Sequence, residues 1–365
     1  MSSIIKIRSK MILQIMFSFL KNRIKLKIIK YNHKLLRCLN ISQKNFQNYI
    51  YLKQLKDKYD LNINDIDEVS INMKKKKINI DDMKWLIKIE FNELKELNLS
   101  DNEIDNISIF KNAKFQKLEY LNFNMNKISD INILNEVNFK ELKILHFYHN
   151  NISDISVLKN VNFKELKELD LYQNKISDIN ILKEVNFKKL EILDLSHNEI
   201  SEIEVLEKVK FTQLKKLFLG INKIKDINVL EKVEFEHLEI LDLRSNKIND
   251  INILKFVKFQ DLKELYLNDN EISDIEVFGN SDFEKLKILN LSGNKISDIK
   301  VFANLNFKEL NTLQITNNEI TEIDVFQNCK FEKLDLINVR QNRIDKENNS
   351  IIIKSLKSKY KNFIC

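Results

Sequence analysis

The sequence predicts an α/β fold in the form of a solenoid, in which short parallel strands alternate with short helical or 3₁₀ turns. One pattern recurs every 24 residues, eleven times in succession. Each unit contains L-x-L, which alternates buried and outward residues as a short strand does. Apolar residues spaced by three follow, as in 3₁₀ or loose helical turns. Because one such unit cannot bury its own apolar face, we expect stacked units to form one continuous core.

Each unit begins with a phenylalanine. With this Phe as column 1, the consensus is F-x-x-L-x-x-L-x-L-x-x-N-x-I-x-x-I-x-x-L/F-x-x-V-x. We expect column 1 to form a second buried row on the side opposite the strands. The column consists of Phe91, Phe115, Phe139, Phe163, Phe187, Phe211, Phe235, Phe259, Phe283, Phe307 and Phe331.

Asparagine replaces the usual turn residues. The 365-residue chain has three Gly and no Pro, so its bends need another device. An inward Asn side chain offers a donor and an acceptor to backbone groups of its own coil and of the adjacent coil. Each of these backbone groups would cost about 1–3 kcal/mol if it were buried without a partner. We therefore predict a structural Asn ladder in column 12. It consists of Asn102, Asn126, Asn150, Asn174, Asn198, Asn222, Asn246, Asn270, Asn294, Asn318 and Asn342.

A Ser-Asp pair recurs in columns 15 and 16, where the helical turn begins. We interpret these pairs as caps for free N–H groups of the turn rather than as a row of cation-binding acids. The clearest copies are Ser129–Asp130, Ser153–Asp154, Ser177–Asp178, Ser273–Asp274 and Ser297–Asp298.

The core motif L-x-x-L-x-L-x-x-N-x-I resembles the signature of leucine-rich repeats from about Phe91 to Asp345. This resemblance implies a parallel sheet on a concave face, turns on a convex face, and a function in binding proteins. The units look most like those of bacterial internalins and of the leucine-rich-repeat regulatory subunit of protein phosphatase type 1. The second likeness makes a phosphatase catalytic subunit one candidate partner. Both groups use about 22 residues per unit, and internalins usually carry a Pro, so the partner does not transfer directly.

The repeat pattern divides the chain into four segments. Residues 1–60 form a basic, helical N-terminal segment, and residues 61–90 form a degenerate capping unit that keeps the apolar columns but loses the expected Leu and Asn. The eleven repeats occupy residues 91–348. Residues 349–365 form a C-terminal cap or tail, with a helix expected from Asn349 to Tyr360.

The N-terminal segment leaves three interpretations open. Residues 1–60 contain 14 Lys/Arg and two Asp, a net charge of +12 against +7 for the whole chain. Within residues 10–38, the run ILQIMFSFLKNRIKLKIIKYNHKLL loosely resembles the start of an F-box, which implies a Skp-family adaptor as partner and a substrate-adaptor role in a ubiquitin ligase. The alternatives are a helical cap on the solenoid and a basic amphipathic segment on a membrane surface. Lys, Ile and Asn are abundant throughout the chain, which indicates a compositional bias that produces basic segments without a dedicated function. We therefore expect no nucleic-acid partner.

The chain offers no sign of export or membrane insertion. It lacks an apolar run of about 18 residues, its first apolar stretch has no small-residue cleavage site, and its three cysteines are far apart. We therefore expect an intracellular, cytoplasmic protein.

The outward columns 6, 8 and 10 carry the candidate binding residues. Columns 8 and 10 hold mostly small neutral polar residues near the ends of the array and become aromatic and charged in the middle. Strands lie about 4.8 Å apart, so such side chains form one contiguous patch with the composition of a protein interface. The candidate partner-binding residues are His146, Tyr148, Asp170, Tyr172, Asp194, Phe218, Asp242, Arg244 and Tyr266.

We expect no catalysis, no metal and no cofactor. Asp170 and Asp194 resemble an acid–base pair on neighbouring strands, but we expect them on an open, wet sheet with no enclosing pocket. His149 and His197 lie two coils apart, about 10 Å, which is too far for one zinc ion. The sequence has no Gly-rich phosphate loop or nucleophile motif.

Overall fold

The computed structural model describes residues 43–61, 69–91 and 93–365, and it divides into two compact units, Met1–Leu142 and Lys143–Cys365. In the first unit, helix α1 spans Gln43–Tyr59 and helix α2 spans Ile80–Leu86. Its three parallel strands are β1 (Ser70–Asn72), β2 (Glu96–Asn98) and β3 (Tyr120–Asn122). Its 3₁₀ turns are Ser108–Asn112 and Asn132–Asn135.

The second unit contains ten parallel strands in chain order. They are β4 (Ile144–His146), β5 (Glu168–Asp170), β6 (Ile192–Asp194), β7 (Lys216–Phe218), β8 (Ile240–Asp242), β9 (Glu264–Tyr266), β10 (Ile288–Asn290), β11 (Thr312–Gln314), β12 (Leu336–Asn338) and β13 (Asn362–Ile364). The 3₁₀ turns between them are Ser156–Asn160, Asn180–Lys183, Glu204–Lys208, Asn228–Glu231, Asn252–Lys255, Glu276–Asn280 and Lys300–Asn304. Helix α3 spans Val325–Asn328, and helix α4 spans Ser350–Lys359. The predicted fold class, a solenoid of parallel strands and 3₁₀ turns, is confirmed.

The 24-residue period sets the register of the sheet. Leu169 lies opposite Leu145 on one side and Leu193 on the other, so identical columns stack directly. The leucines of these layers are at most 1 % exposed. The continuous core therefore follows from the period itself.

The phenylalanine column is buried in ten of its eleven positions, each at most 3 % exposed. Neighbouring rings touch, with centroids 6.1 Å apart for Phe91 and Phe115 and again for Phe283 and Phe307. Phe331 departs from the expected buried row and is only half-buried. Its coil is the last of the repeats, and Ser355 stands where the next Phe would be.

The Asp of each Ser-Asp pair bonds the first residue of the following turn. The Asp154 carboxylate accepts the backbone N–H of Ser156 at 2.7 Å, and Asp178 accepts that of Asn180 at 2.8 Å. The bond spans two residues, because the residue between them is the helix N-cap. These acids are therefore used by the backbone of their own turn.

The described part of the unit before the repeats forms β1 and α2. Although this unit lacks the column-12 Asn, the first repeat supplies one, because the Asn102 carboxamide oxygen accepts the backbone N–H of Ile78 at 3.0 Å. Helix α1 packs against α2, and Lys58 forms an ion pair with Asp82. The F-box-like residues 10–38 lie outside the described residues.

Strand β13, which follows α4, is not predicted by the repeat pattern. After α4, strand β13 pairs with β12 and buries Phe363. The Lys359 ammonium donates to the carbonyl oxygens of Phe326, Gln327 and Cys329 at 2.7–3.1 Å. The C-terminal segment thereby pairs carbonyl groups at the end of α3.

Candidate binding surface on strands β4 to β9

The column-12 asparagines hold the strand ends in place. The Asn174 side-chain nitrogen donates to the carbonyl oxygens of Phe147 (2.9 Å) and Leu171 (3.1 Å). Its oxygen accepts the backbone N–H of Ile152 at 3.0 Å. Each Asn thus satisfies backbone groups of its own coil and the preceding one, and the pattern recurs at Asn198, Asn222, Asn246, Asn270, Asn294, Asn318 and Asn342. In the first unit, Asn102 and Asn126 bond in the same way.

The residue before each ladder Asn adopts the left-handed conformation, which the sequence does not reveal. Column 11 has φ between 52° and 67° in every unit. The residues are Asp101, Met125, His149, Gln173, His197, Ile221, Ser245, Asp269, Gly293, Asn317 and Gln341. Only Gly293 carries the usual glycine signal of this conformation.

Four aromatic rings form a row across the ends of β4, β5 and β6. The ring centroids of Tyr148 and Tyr172 lie 5.1 Å apart. His149 packs edge-on against Tyr148 at 5.8 Å, and His197 packs against Tyr172 at 5.7 Å. Both tyrosines are half-buried, and both histidines are exposed. The row therefore offers fixed aromatic surface to a ligand.

Three aspartates stand on the same sheet face, in column 8. Asp170 and Asp194 lie directly opposite each other on β5 and β6. Each accepts the backbone N–H two residues further on, from Tyr172 at 2.9 Å and Ser196 at 2.8 Å. Asp242, on β8, makes the equivalent bond to the Arg244 N–H at 3.0 Å.

Burial changes the acidity of these carboxyl groups. It raises the pKa of Asp194 to about 6, and the charge of Asp170 adds to this rise. Burial also raises the pKa of Asp170 and Asp242. The expectation of an open, wet sheet is thus wrong at these positions, because the neighbouring side chains remove water from the carboxylates.

Two of the outward columns contain residues that the structure buries. Asp242 is 3 % exposed and Ser196 is 1 % exposed. Arg244 folds back over Asp242, with its Nε 3.3 Å from Oδ2. Gly220, on the preceding coil, makes room for this pair, since a Cβ there would lie 2.9 Å from the Arg244 Cγ. The repeat pattern predicts which face of the sheet a side chain lies on. Whether that side chain is exposed depends on the size of the side chains around it.

The remaining candidate residues lie on the same face. Phe218 is opposite Asp194 on one side and Asp242 on the other, and it is half-buried rather than exposed. His146 Nε2 lies 2.9 Å from the Glu168 carboxylate, which lowers the pKa of Glu168. The Tyr266 hydroxyl donates to Glu264 at 2.8 Å, and burial raises the pKa of Tyr266 to about 12.

All nine predicted side chains therefore belong to one face of β4 to β9, which we call the central surface. Glu168 and Glu264 also belong to it and were missed from the predicted set. Both stand in column 6, and their charge would have identified them in the sequence.

Among the described residues, no group of three or more His, Cys, Asp or Glu side chains is arranged to hold a metal ion. Within the same ranges, no helix combines the length and the apolar character needed to cross a membrane.

Family models for leucine-rich repeats match four stretches of the chain. A single-repeat model matches residues 93–109, a two-copy model matches residues 140–184 and 188–232, and a third matches residues 236–296. No curated protein matches the chain significantly.

Solved structures share the fold. An internalin from Listeria monocytogenes is 26% identical with a TM-score of 0.65, and the match covers 82% of this chain and 78% of the internalin. A leucine-rich-repeat protein from Leptospira interrogans is 21% identical with a TM-score of 0.50, covering 75% of this chain and 79% of that one. The chain therefore carries leucine-rich repeats, arranged as a solenoid of the kind seen in these structures.

Proposed function

We propose that this chain is a non-enzymatic scaffold that binds a partner protein through the central surface. In leucine-rich-repeat proteins this sheet face is the concave one, and the fold is typical of protein–protein interaction scaffolds. The observation that carries the proposal is the aromatic pair of Tyr148 and Tyr172, with Phe218 on the same face. Such anchors supply most of the binding energy in protein interfaces.

The contrast along the sheet supports this location. On β10 to β12, columns 8 and 10 hold neutral polar residues apart from Arg340, and they contain no aromatic ring. The ladder asparagines of β10 and β11 make the same bonds as those of β4 to β9, so the aromatic residues on β4 to β9 are not needed to form the coil. Their concentration in the middle of the array fits a binding surface.

The charge of the central surface disfavours a nucleic-acid partner. Columns 6, 8 and 10 of β4 to β9 carry five acidic and two basic residues, a net charge of −3 with histidine neutral. Binding to nucleic acid relies on neutralising phosphates with Lys and Arg, and this face has the opposite sign.

The more specific partners gain no support from the comparisons. A Skp-family adaptor or a membrane surface would use residues 10–38, which lie outside the described residues. The suggestion of a phosphatase catalytic subunit as partner rests only on the likeness of the repeat pattern. The matching family models describe leucine-rich repeats in general. We therefore rank these partners, and the cytoplasmic location, behind the general proposal.

Affinity purification with mass spectrometry tests the proposal. The bait variant Tyr172→Ala/Phe218→Ala removes two rings and should lose the partner that the wild type captures. Gln314→Ala/Thr316→Ala changes the same two columns, 8 and 10, on β11 and serves as the matched control. Equal capture by the wild type and the ring variant would contradict the proposal.

A further inference from the structure

The negative charges of Asp170 and Asp194 are not needed by the scaffold. The structural task of a column-8 side chain is to accept the backbone N–H two residues on. On other coils a neutral Asn performs that task at 2.8–3.3 Å, namely Asn98, Asn122, Asn290 and Asn338. Comparison of the Asp and Asn residues of column 8 therefore shows that the carboxylate adds a charge without adding a backbone bond.

This charge is unfavourable for folding. Both carboxylates are half-buried, and burial raises the pKa of each. Their direct opposition on neighbouring strands adds repulsion between like charges. An isosteric Asn would avoid both costs, so the coil does not need these two charges for its stability.

Neither carboxylate belongs to an ion pair among the described residues. Asp242 has Arg244 at 3.3 Å, but within the described part of the chain no Lys, Arg or His forms an ion pair with Asp170 or Asp194. On β4, His146 pairs with Glu168, and its charge also lowers the pKa of Asp170 without an ion pair between the two. On β7, Phe218 stands opposite Asp194 and offers no charge.

A second polar group beside Asp194 also lacks a partner. The Ser196 hydroxyl lies close enough to the Asp194 carboxylate to lower its pKa. Although Ser196 is 1 % exposed, its hydroxyl forms no hydrogen bond within the described residues. A buried hydroxyl without a partner is costly, so this strand end carries a second unfavourable polar group beside Asp194.

We propose that the partner protein inserts a Lys or Arg side chain between Asp170 and Asp194, with its aliphatic stem against the rings of Tyr148 and Tyr172. This inference rests on the proposed function and names the chemistry of the partner. Charge-assisted hydrogen bonds to two carboxylates are among the strong polar contacts. A ring two residues along the strand from Asp170 adds apolar and cation–π contact.

The net charge of the central surface favours the same partner. A segment rich in Lys or Arg complements the net −3 of the outward columns, whereas an acidic segment is repelled. The occupant we commit to is therefore a basic segment of a protein.

The test uses the full chain and a displayed library of random 12-residue peptides as the probe. Selection on the wild type at pH 7.5 should enrich peptides that contain Lys or Arg. The dissociation constants of these peptides should rise at least tenfold on Asp170→Asn/Asp194→Asn. The matched control Glu199→Gln/Glu271→Gln removes two charges that pair with Lys223 and Lys295, and it should bind as the wild type does.

Three results would overturn the inference: selected peptides without excess Lys or Arg, no enrichment at all, or equal affinity for the Asp→Asn variant. The wider proposal fails separately. If the selected peptides bind Tyr172→Ala/Phe218→Ala and Asp170→Asn/Asp194→Asn both as well as the wild type, they do not use the central surface. If the ring variant loses binding but the Asp→Asn variant retains it, the surface stands and the cationic contact is wrong.

Discussion

Asp194 and Asn290 stand in the same column four strands apart and form the same bond. The Asp194 carboxylate accepts the Ser196 N–H at 2.8 Å, and the Asn290 carboxamide oxygen accepts the Ser292 N–H at 3.0 Å. One side chain carries a charge and the other does not. The backbone hydrogen bond is therefore a property of the column, whereas the negative charge is specific to Asp194.

The first prediction concerns the pH dependence of stability. Burial raises the pKa of Asp194 from its usual 3.8 to about 6 in the folded chain. The folded state therefore binds this proton more tightly, and the contribution of Asp194 to the free energy of unfolding falls as pH rises from about 4 to 6 and is level above that. Asp194→Asn removes this loss, so it should stabilise the chain at pH 7.5 by up to about 3 kcal/mol and have little effect at pH 4.

Urea unfolding at the two pH values measures the effect. The reciprocal change Asn290→Asp should destabilise the chain at pH 7.5. A destabilising Asp194→Asn at pH 7.5 would show that the charge serves the fold.

The second prediction concerns the Asn ladder. Asn174→Ala leaves the Phe147 and Leu171 carbonyls and the Ile152 N–H without their side-chain partner. We expect a loss of at least about 2 kcal/mol, because unpaired buried polar groups cost about 1–3 kcal/mol each. Thermal or urea unfolding measures it. Asn180→Ala, on an exposed turn residue of the same coil, is the control, and equal stability of the two variants would refute the ladder.

The third prediction concerns the left-handed column. Ile221 has φ 54°, a conformation that costs a β-branched residue most. Ile221→Asn should stabilise the chain by about 1 kcal/mol, since Asn tolerates this region. The reverse change Asn317→Ile, at φ 53°, should cost a similar amount. Urea midpoints that move the same way in both variants would contradict the strain argument.

The fourth prediction concerns the C-terminal cap. Lys359→Met removes the ammonium that bonds three carbonyls beside α3. We expect a loss of about 1 kcal/mol and faster amide exchange in β12 and β13, because hydrogen bonds to a charged group are the stronger kind. Lys357→Met, an exposed lysine on α4, is the control. Equal exchange rates in the two variants would mean that Lys359 does not stabilise the pairing of β12 and β13.

The sequence predicts the parts of the structure that depend on the period. Leu169 and Asn174 occupy fixed columns, and stacking at 24 residues gives them the same neighbours in every coil. The left-handed turn at Ile221 escapes prediction because the backbone fixes it while the side chains there vary. The burial of Asp242 depends on Arg244 lying over Gly220, a contact between coils that no single column shows.

The ends escape prediction for a different reason. Strand β13 lacks the leucines of a repeat, and only its position after α4 places it beside β12. For the candidate site, the sequence supplies the face and the residue types, but the pairing of His146 with Glu168 and the desolvation of Asp194 follow from packing.

The affinity of the captured partner for the Tyr172→Ala/Phe218→Ala variant tests the central claim most directly. Two anchors of about 2 kcal/mol each should raise the dissociation constant at least a hundredfold, while circular dichroism and the melting temperature show that the coil stays folded. The Gln314→Ala/Thr316→Ala control should bind as the wild type does. A dissociation constant within threefold of wild type for the folded ring variant would contradict a binding function for the central surface.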